Sequence, residues 1–445
     1  MATNDHSTHG KSILPQQFLN GEVHDWYRIV HGYSDHLVTK LLQKFQLSGN
    51  QRVLDPFCGA GTTLVECCKS KIDSVGIEAN PSSSFAARVK TDWHLRPTKL
   101  LSLVPQVAAS YEKLLANHAS LQQDATYRYL FDSGMVDRGW ISNQRLLKAI
   151  AIKLAIKKLE TPDAYKNVLH LALVTEVVNA ASNVRFGPEL YCGQQRKRIN
   201  LLANFGQRVR LMSRDLGIVR DMVGATARVI SGDARSCSAL LRRKGYRRFH
   251  AVICSPPYPA EHDYTRNSRL ELAFLESVTD RRSLQKIKKG MIRSHTKGIY
   301  VGDSDGELVT NSKRIRQIES IIRKKVKNKR HGFARLYPKV LVEYFGGMKR
   351  HFEDVMKILA PGARCAYVVG DQSSYLQVLI PTAQILGELA REVGFRNVRI
   401  TRWRSRWSTT TSRRIDENIL LMQRPKNVTV TSRRDRREKH YVGKR

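Results

Sequence analysis

Short, wholly apolar runs alternate along this chain with segments whose apolar residues recur every three or four positions, which predicts strand–helix alternation. Leu37, Val38, Leu41, Leu42 and Phe45 predict a helix capped by Ser34 or Asp35. Arg52-Val53-Leu54-Asp55 predicts a strand, followed by a Gly59-Ala60-Gly61 turn and a helix from Thr62 towards Ser70. A second strand, Ser74-Val75-Gly76-Ile77, ends in Glu78, with Asn80-Pro81 and another helix behind it. The rhythm resumes after residue 225. Arg228 to Ser231 is a strand ending in Gly232-Asp233, and Ala251 to Cys254 a strand ending in Ser255-Pro256-Pro257-Tyr258. A helix from Val340 to Leu359 stops at Pro361-Gly362, before a buried strand from Ala363 to Asp371. The helix Thr382 to Val393 ends at Gly394, and Val398–Trp403 and Asn418–Met422 are the last two strands. That makes seven.

Two blocks break the rhythm. In residues 100–225, Leu147, Ile150, Ala151, Leu154, Ala155 and Ile156 predict an amphipathic helix with lysines on its far side. Asn167 to Ala181 predicts a buried helix, and Asn183 to Tyr191 a loop carrying aromatics and a cation. The block reads as a helical insertion, or alternatively as a DNA-contacting module. Residues 280–336 are dense in Lys and Arg, with His295, Tyr300 and Phe333 interleaved and Gly298 and Gly302 to Gly306 adding flexibility. Such a run is either a solvated face or a surface that tracks phosphates. The segments expected are a flexible N-terminus (1–24), core pieces at 25–99, 226–275 and 338–424, insertions at 100–225 and 276–337, and a basic disordered tail (425–445).

Charge sharpens the second reading. Among 445 residues, 76 are Lys or Arg and 39 Asp or Glu, a formal net charge of +37, alongside 41% hydrophobic residues. A folded protein with a polyanionic partner, nucleic acid foremost, fits this balance. Seven cysteines show no paired or metal-ligand spacing, so free thiols in a reducing compartment are expected, and no metal. Met1 to Lys11 lacks an apolar core and no run reaches membrane-spanning length, which points to a cytoplasmic, nucleoid-associated protein.

Candidate chemistry sits at the strand ends. A glycine turn between strand and helix lets a ligand approach backbone N–H groups at a helix N-terminus. An acid about 20 residues further on, at the tip of the second strand, is where nucleotide-binding βαβ units grip a ribose diol; the other reading is a structural βαβ with a surface acid. The Ser-Pro-Pro-Tyr corner is stiff, its carbonyls unpaired by any ladder. It offers a hydroxyl, fixed acceptors and an aromatic face, the parts needed to hold an aromatic amine, or else it is a plain turn after a buried strand.

The two stretches together, Asp55-Pro56-Phe57-Cys58-Gly59-Ala60-Gly61-Thr62-Thr63 and Ser255-Pro256-Pro257-Tyr258, resemble the cofactor and catalytic motifs of the S-adenosylmethionine-dependent amino-methyltransferases of DNA. The resemblance covers roughly residues 25–95 and 225–424. It implies a doubly wound, Rossmann-like α/β sheet of seven strands, the last inserted antiparallel, with the two insertions added. It also implies S-adenosyl-L-methionine as cofactor and double-stranded DNA as partner, with room for a cognate restriction endonuclease. Asp55, Phe57, Gly59 and Gly61 would line the methionine and ribose end of the cofactor site, with Thr62 beside them; Glu78 would hold the ribose hydroxyls, Asp233 would accept from the adenine amine, and His31-Gly32-Tyr33 sits where the family places an upstream cofactor-contacting motif. Ser255 and the Pro256 carbonyl would accept from the target amine, with Pro257 stiffening the corner and Tyr258 stacking on a flipped-out base. Serine at position 255 is, within the resemblance, typical of action on cytosine N4, with adenine N6 as the alternative. Arg266, Lys288, Lys289, Arg293, Arg323, Lys324, Lys325, Arg404 and Arg406 are the expected DNA contacts, the last two in a basic-aromatic loop with Trp403 and Trp407. An RNA base methyltransferase would typically carry Asn or Asp at the corner and an appended RNA-binding module, neither of which is present. A non-catalytic nucleic-acid-binding protein would not need the cofactor loop, both acids and the corner intact.

Overall fold

The computed structural model describes residues 22–27, 32–186, 190–194, 198–327, 332–408 and 413–426. The expected flexible N-terminus and basic tail therefore lie mostly outside the described residues, as do His31 and Lys329-Arg330. Val23 and His24, placed by the sequence reading in the flexible N-terminus, are fully buried. Asp215 accepts from the Val23 amide (3.2 Å) and the Trp26 indole (2.9 Å), which pins this segment.

Among the described residues nine strands form: β1 (Arg52–Asp55), β2 (Asp73–Glu78), β3 (Val184–Phe186), β4 (Leu190–Cys192), β5 (Ala227–Ser231), β6 (Phe249–Cys254), β7 (Leu359–Gly370), β8 (Arg396–Ser408) and β9 (Arg413–Gln423). Seven make one sheet in the order β5-β2-β1-β6-β7-β9-β8. The first five run parallel, and β9 is antiparallel to both neighbours. This is a doubly wound α/β sheet. From β1 the chain winds outward through β2 to β5, then returns to β6 on the other side of β1, so the topological switch point falls between β1 and β6.

The central strands read as continuous apolar runs because both faces are covered. Leu54, Val252, Cys254 and Tyr367 face the helices Tyr337–Met356 and Thr382–Val393, while Val53, Ala251, Ile253 and Val368 face the helix Asp35–Lys44. Three details differ from the sequence reading. The long helix stops at Met356, and Leu359 begins β7, with Pro361-Gly362 taken up in an irregularity where the β6 register shifts. Asn183 to Tyr191 contributes to the β3–β4 hairpin rather than a loop. The presumed basic-aromatic loop is a long β8–β9 hairpin paired from Arg396↔Gln423 to Ser408↔Arg413.

The described elements between residues 97 and 222 are helices apart from β3 and β4, and their core is fused with the sheet domain through Trp26, Trp93, Leu270 and Phe274. Asp163–Glu176 continues as a π-turn through Val177–Ala181. The helix Asn143–Lys158 does not keep all its lysines outside. Lys153 is buried, its Nζ bonded to Asp124 (3.0 Å), Glu276 (2.6 Å) and Thr126 Oγ1 (2.8 Å), joining the insertion to the segment after β6. Removing one partner of such a cluster leaves buried charge uncompensated. Lys153→Ala should therefore lower unfolding free energy by about 3 kcal/mol, seen as a lower urea midpoint with an unchanged slope.

Candidate active site

At the switch point the carboxyl ends of β1, β2, β5 and β6 open onto a cavity of about 1100 Å³, counting its solvent-filled mouth. Phe57 and Gly59 from the loop after β1, Glu78 from β2, and Asp233 beyond β5 line one part of it; the whole Ser255-Pro256-Pro257-Tyr258 corner lines another. Residues far apart in sequence thus share one cleft because β1 pairs in parallel with β6, Leu54 beside Val252.

The loop after β1 is held by acids on both sides. Glu78 Oε2 accepts from the Gly59 amide (2.8 Å) and Oε1 from the Asn80 amide (2.7 Å). Burial pushes the Glu78 carboxyl above its usual range, while those amides pull it back. Each oxygen keeps lone pairs for a ligand hydroxyl. Gly61 ends the loop at φ +85°, and a Cβ there would stand 3.0 Å from that of Ala87, so only glycine fits without strain. Phe57 meets the buried His351 edge-on, ring centroids 4.9 Å apart. Burial drives that imidazole down to about 4, so it is neutral; it bonds the Ala234 carbonyl (2.8 Å) and the Tyr367 hydroxyl (2.7 Å).

Tyr33, Asp55, Gly61 and Thr62 are not among the residues that line the cavity. Asp55, 1% exposed, accepts from the Phe57 amide (3.0 Å) and the Tyr33 hydroxyl (3.0 Å). Tyr33 also meets the Thr63 hydroxyl, which in turn donates to the Ile253 carbonyl (3.2 Å) in β6. A string of hydrogen bonds so ties the cofactor-type loop to the strand that carries the corner.

The corner itself is braced from behind through Ser255, Pro257 and Tyr258. Ser255 Oγ donates to the Val368 carbonyl (3.0 Å), which leaves its lone pairs as acceptors. Tyr344 donates to the Pro257 carbonyl (2.8 Å); the Pro256 carbonyl has no donor among the described residues. Tyr258 donates to Glu417 Oε1 (2.9 Å) on β9, and its ring packs on Gly370, where a Cβ would intrude to 3.2 Å. Nothing in the sequence marked His351, Tyr344 or Glu417, since each lies on a distant element and reaches the site only through the fold. Asn80, Tyr264 and Glu271 also line the cavity; of these only Asn80 stood beside a recognised feature.

The expected DNA contacts divide. Lys289, Arg323, Lys324 and Lys325 are exposed, although Arg323 pairs with Glu319 (2.5 Å) and Lys325 donates to the Leu376 carbonyl (3.0 Å). Lys288 and Arg293 are corrections. Both are buried, Lys288 on Asp263 (2.6 Å) and Arg293 on Asp303 (2.7 Å), and so serve the fold rather than a phosphate. Arg266 is half-buried and reaches the Leu190 carbonyl (3.4 Å). Arg404 pairs with Glu417, and the Arg406 side chain lies outside the described residues. Asp233 is clasped by Arg235 (2.7 Å), whose other arm holds Asp305 (2.6 Å) in the basic segment. The Gly302–Gly306 stretch expected to be flexible is thus anchored, and Gly290-Met291-Ile292 of the same segment form a wall of the cavity. Away from the cavity, His24, Asp35 and Glu66 bring ligand-type atoms within 4.8 Å of one another. His24 (2.8 Å) and Lys69 (3.1 Å) already bond Glu66, which makes this an ion-pair cluster.

No family model matches the chain. Over most of its length it is similar to M.BsoBI, a Type II methyltransferase of Geobacillus stearothermophilus: 23% identity over 425 residues, 88% of this chain and 82% of that protein. It is likewise similar to the Type II methyltransferases M.AvaI of Nostoc sp. (23% over 398 residues, 83% of this chain and 78% of that one) and M.MvaI of Kocuria varians (22% over 396 residues, 84% and 83%). Among the described residues, no helix is long and apolar enough to cross a membrane.

Burial raises the Asp55 carboxyl from 3.8 to about 7, against the pull of its hydrogen-bond donors. A carboxyl with a folded value above its unfolded one favours folding most at low pH, and this contribution is lost as pH rises through the folded value. Relative to Asp55→Asn, which keeps an acceptor for Phe57, the native chain should lose stability between about pH 4 and pH 8. Chemical unfolding of both chains across that range checks it; parallel curves would refute the assignment.

Proposed function

We propose that this protein is a DNA methyltransferase that moves a methyl group from S-adenosyl-L-methionine to the exocyclic amine of a flipped-out base, cytosine N4. The observation that carries the reading is the convergence, in one cavity, of the glycine loop with its Glu78 carboxylate and the acceptor corner Ser255-Pro256. Similarity to Type II methyltransferases along four-fifths of the chain supports the same reaction class and, as such enzymes act on double-stranded DNA, the same substrate class. The formal charge of +37 suits that polyanion.

The cavity suits the cofactor by its donor set. Glu78 offers two oxygens for a ribose diol, Phe57 an aromatic wall, and Asp233 an acceptor for an adenine amine, oriented by Arg235. Bound S-adenosyl-L-methionine supplies an electrophilic methyl sulfonium. A base amine is a poor nucleophile because its lone pair is delocalised into the ring. Ser255 Oγ and the Pro256 carbonyl accept its two N–H bonds, favour a pyramidal nitrogen and aim the lone pair. Tyr258 presents its face to the base, and the corner's rigidity makes this positioning part of the fold rather than of the reaction. The choice of cytosine N4 over adenine N6 rests on the serine at position 255, which within the family resemblance is typical of action on cytosine.

Incubation with labelled S-adenosyl-L-methionine and unmethylated genomic DNA should yield N4-methylcytosine by nucleoside mass spectrometry. Ser255→Ala should lower kcat on the order of 100-fold. N6-methyladenine would overturn the base assignment, and label on RNA alone would overturn DNA as substrate.

A further inference from the structure

Glu417 lies on β9, about 160 residues from the catalytic corner, and is nearly buried at 6% exposure. Its two carboxylate oxygens are both engaged as acceptors: Oε1 takes the Tyr258 hydroxyl proton (2.9 Å) and Oε2 meets Arg404 Nε on β8. Tyr258 Oη stands 3.3 Å from Ser255 Oγ, close enough to donate there instead. A phenol has one proton to donate. While it points at Glu417, it cannot occupy Ser255. Ser255 in turn donates its own proton to Val368 O, and a hydroxyl that donates is a better acceptor than one that already accepts. Burial and the neighbouring Glu417 charge push the Tyr258 phenol well above its ordinary value, so the proton stays on Tyr258 rather than passing to the carboxylate.

Resting on the methyltransferase reading above, we propose that Glu417 is a positioning residue for the transfer, acting through Tyr258: by drawing the phenol proton away, it leaves the Ser255 lone pairs for the target amine. Of the two acceptors within reach of the Tyr258 hydroxyl, Glu417 Oε1 at 2.9 Å is nearer than Ser255 Oγ at 3.3 Å and is a carboxylate. Arg404 holds the carboxylate in place from the solvent side, 34% exposed at its side chain. The hairpin that carries both residues is therefore part of the acceptor pocket's machinery, although neither touches the reacting atoms.

Removing Glu417 frees the Tyr258 proton to turn on Ser255; removing the Tyr258 hydroxyl as well eliminates that competitor. A purely structural Glu417 predicts the opposite, with the two losses adding. Steady-state methylation of unmethylated DNA by the full chain distinguishes them. Glu417→Leu should lower kcat about tenfold, a hydrogen bond's worth, with the S-adenosyl-L-methionine dissociation constant within about twofold of native. Adding Tyr258→Phe to that variant should restore much of the loss, bringing it to the rate of Tyr258→Phe alone. Glu417→Asp, which retains the charge beside Arg404 but withdraws the oxygen from Tyr258, should behave as Glu417→Leu does and serves if that variant does not fold. An unchanged kcat in Glu417→Leu, a double variant no faster than the single one, or cofactor affinity falling in step with kcat would each overturn the proposal. A native chain that methylates no DNA would remove the functional reading, and this proposal with it; a native chain that does, beside a double variant without recovery, removes the proposal alone.

Discussion

Everything at this site depends on the parallel pairing of β1 with β6. Only two residue pairs define that contact, Val53 with Ala251 and Leu54 with Val252, yet it sets the cofactor-type loop beside the acceptor corner across nearly 200 residues of chain. The pairing is reinforced where it ends. Thr63, at the start of the helix after the loop, donates to the Ile253 carbonyl, and Tyr33 and Asp55 join the same network. Asp55 then holds the Phe57 amide. A carboxyl buried this deeply is costly to ionise, so the network is built from groups that compete for one another's protons. The chemistry beside it inherits that rigidity.

The sheet was legible because its strands are buried on both faces and therefore appear as unbroken apolar runs between turn residues. Val53-Leu54, Val75 with Ile77, Val229-Ile230 and Ala251-Val252-Ile253-Cys254 could hardly be anything else. Helix ends were legible where a backbone signal stood there, as at Gly394, and misread where one stood elsewhere. Pro361-Gly362 looked like a helix terminator, yet the helix had already ended at Met356 and the pair is absorbed into a strand irregularity. The two strands of the β8–β9 hairpin were read too short, at Val398–Trp403 and Asn418–Met422, because their outer halves are arginine-rich. Pairing between backbones does not require apolar side chains, so nothing in the local pattern announces it.

Charge was the least legible layer. A run of lysines and arginines gives a correct total and a poor map, since each cation's partner is chosen by the fold. Lys288 and Arg293 have aspartates 25 and 10 residues away, Asp263 and Asp303, brought within salt-bridge distance by turns the sequence does not specify. Lys153 finds Asp124 and Glu276 in the same way. Burying a cation without such partners would be prohibitive, so these acids and bases are selected as groups. Lys289 and the Arg323-Lys324-Lys325 face are among the cations that remain exposed.

The basic segment is consequently more than a surface. Its first helix carries exposed cations, its next residues Gly290-Met291-Ile292 wall the cavity, and Asp305 beyond them grips Arg235, which orients Asp233 at the cavity's edge. The hairpin approaches the cavity too, from Arg404 through Glu417 to Tyr258. The basic segment and the β8–β9 hairpin, far apart in sequence, thus both reach the candidate cleft in space.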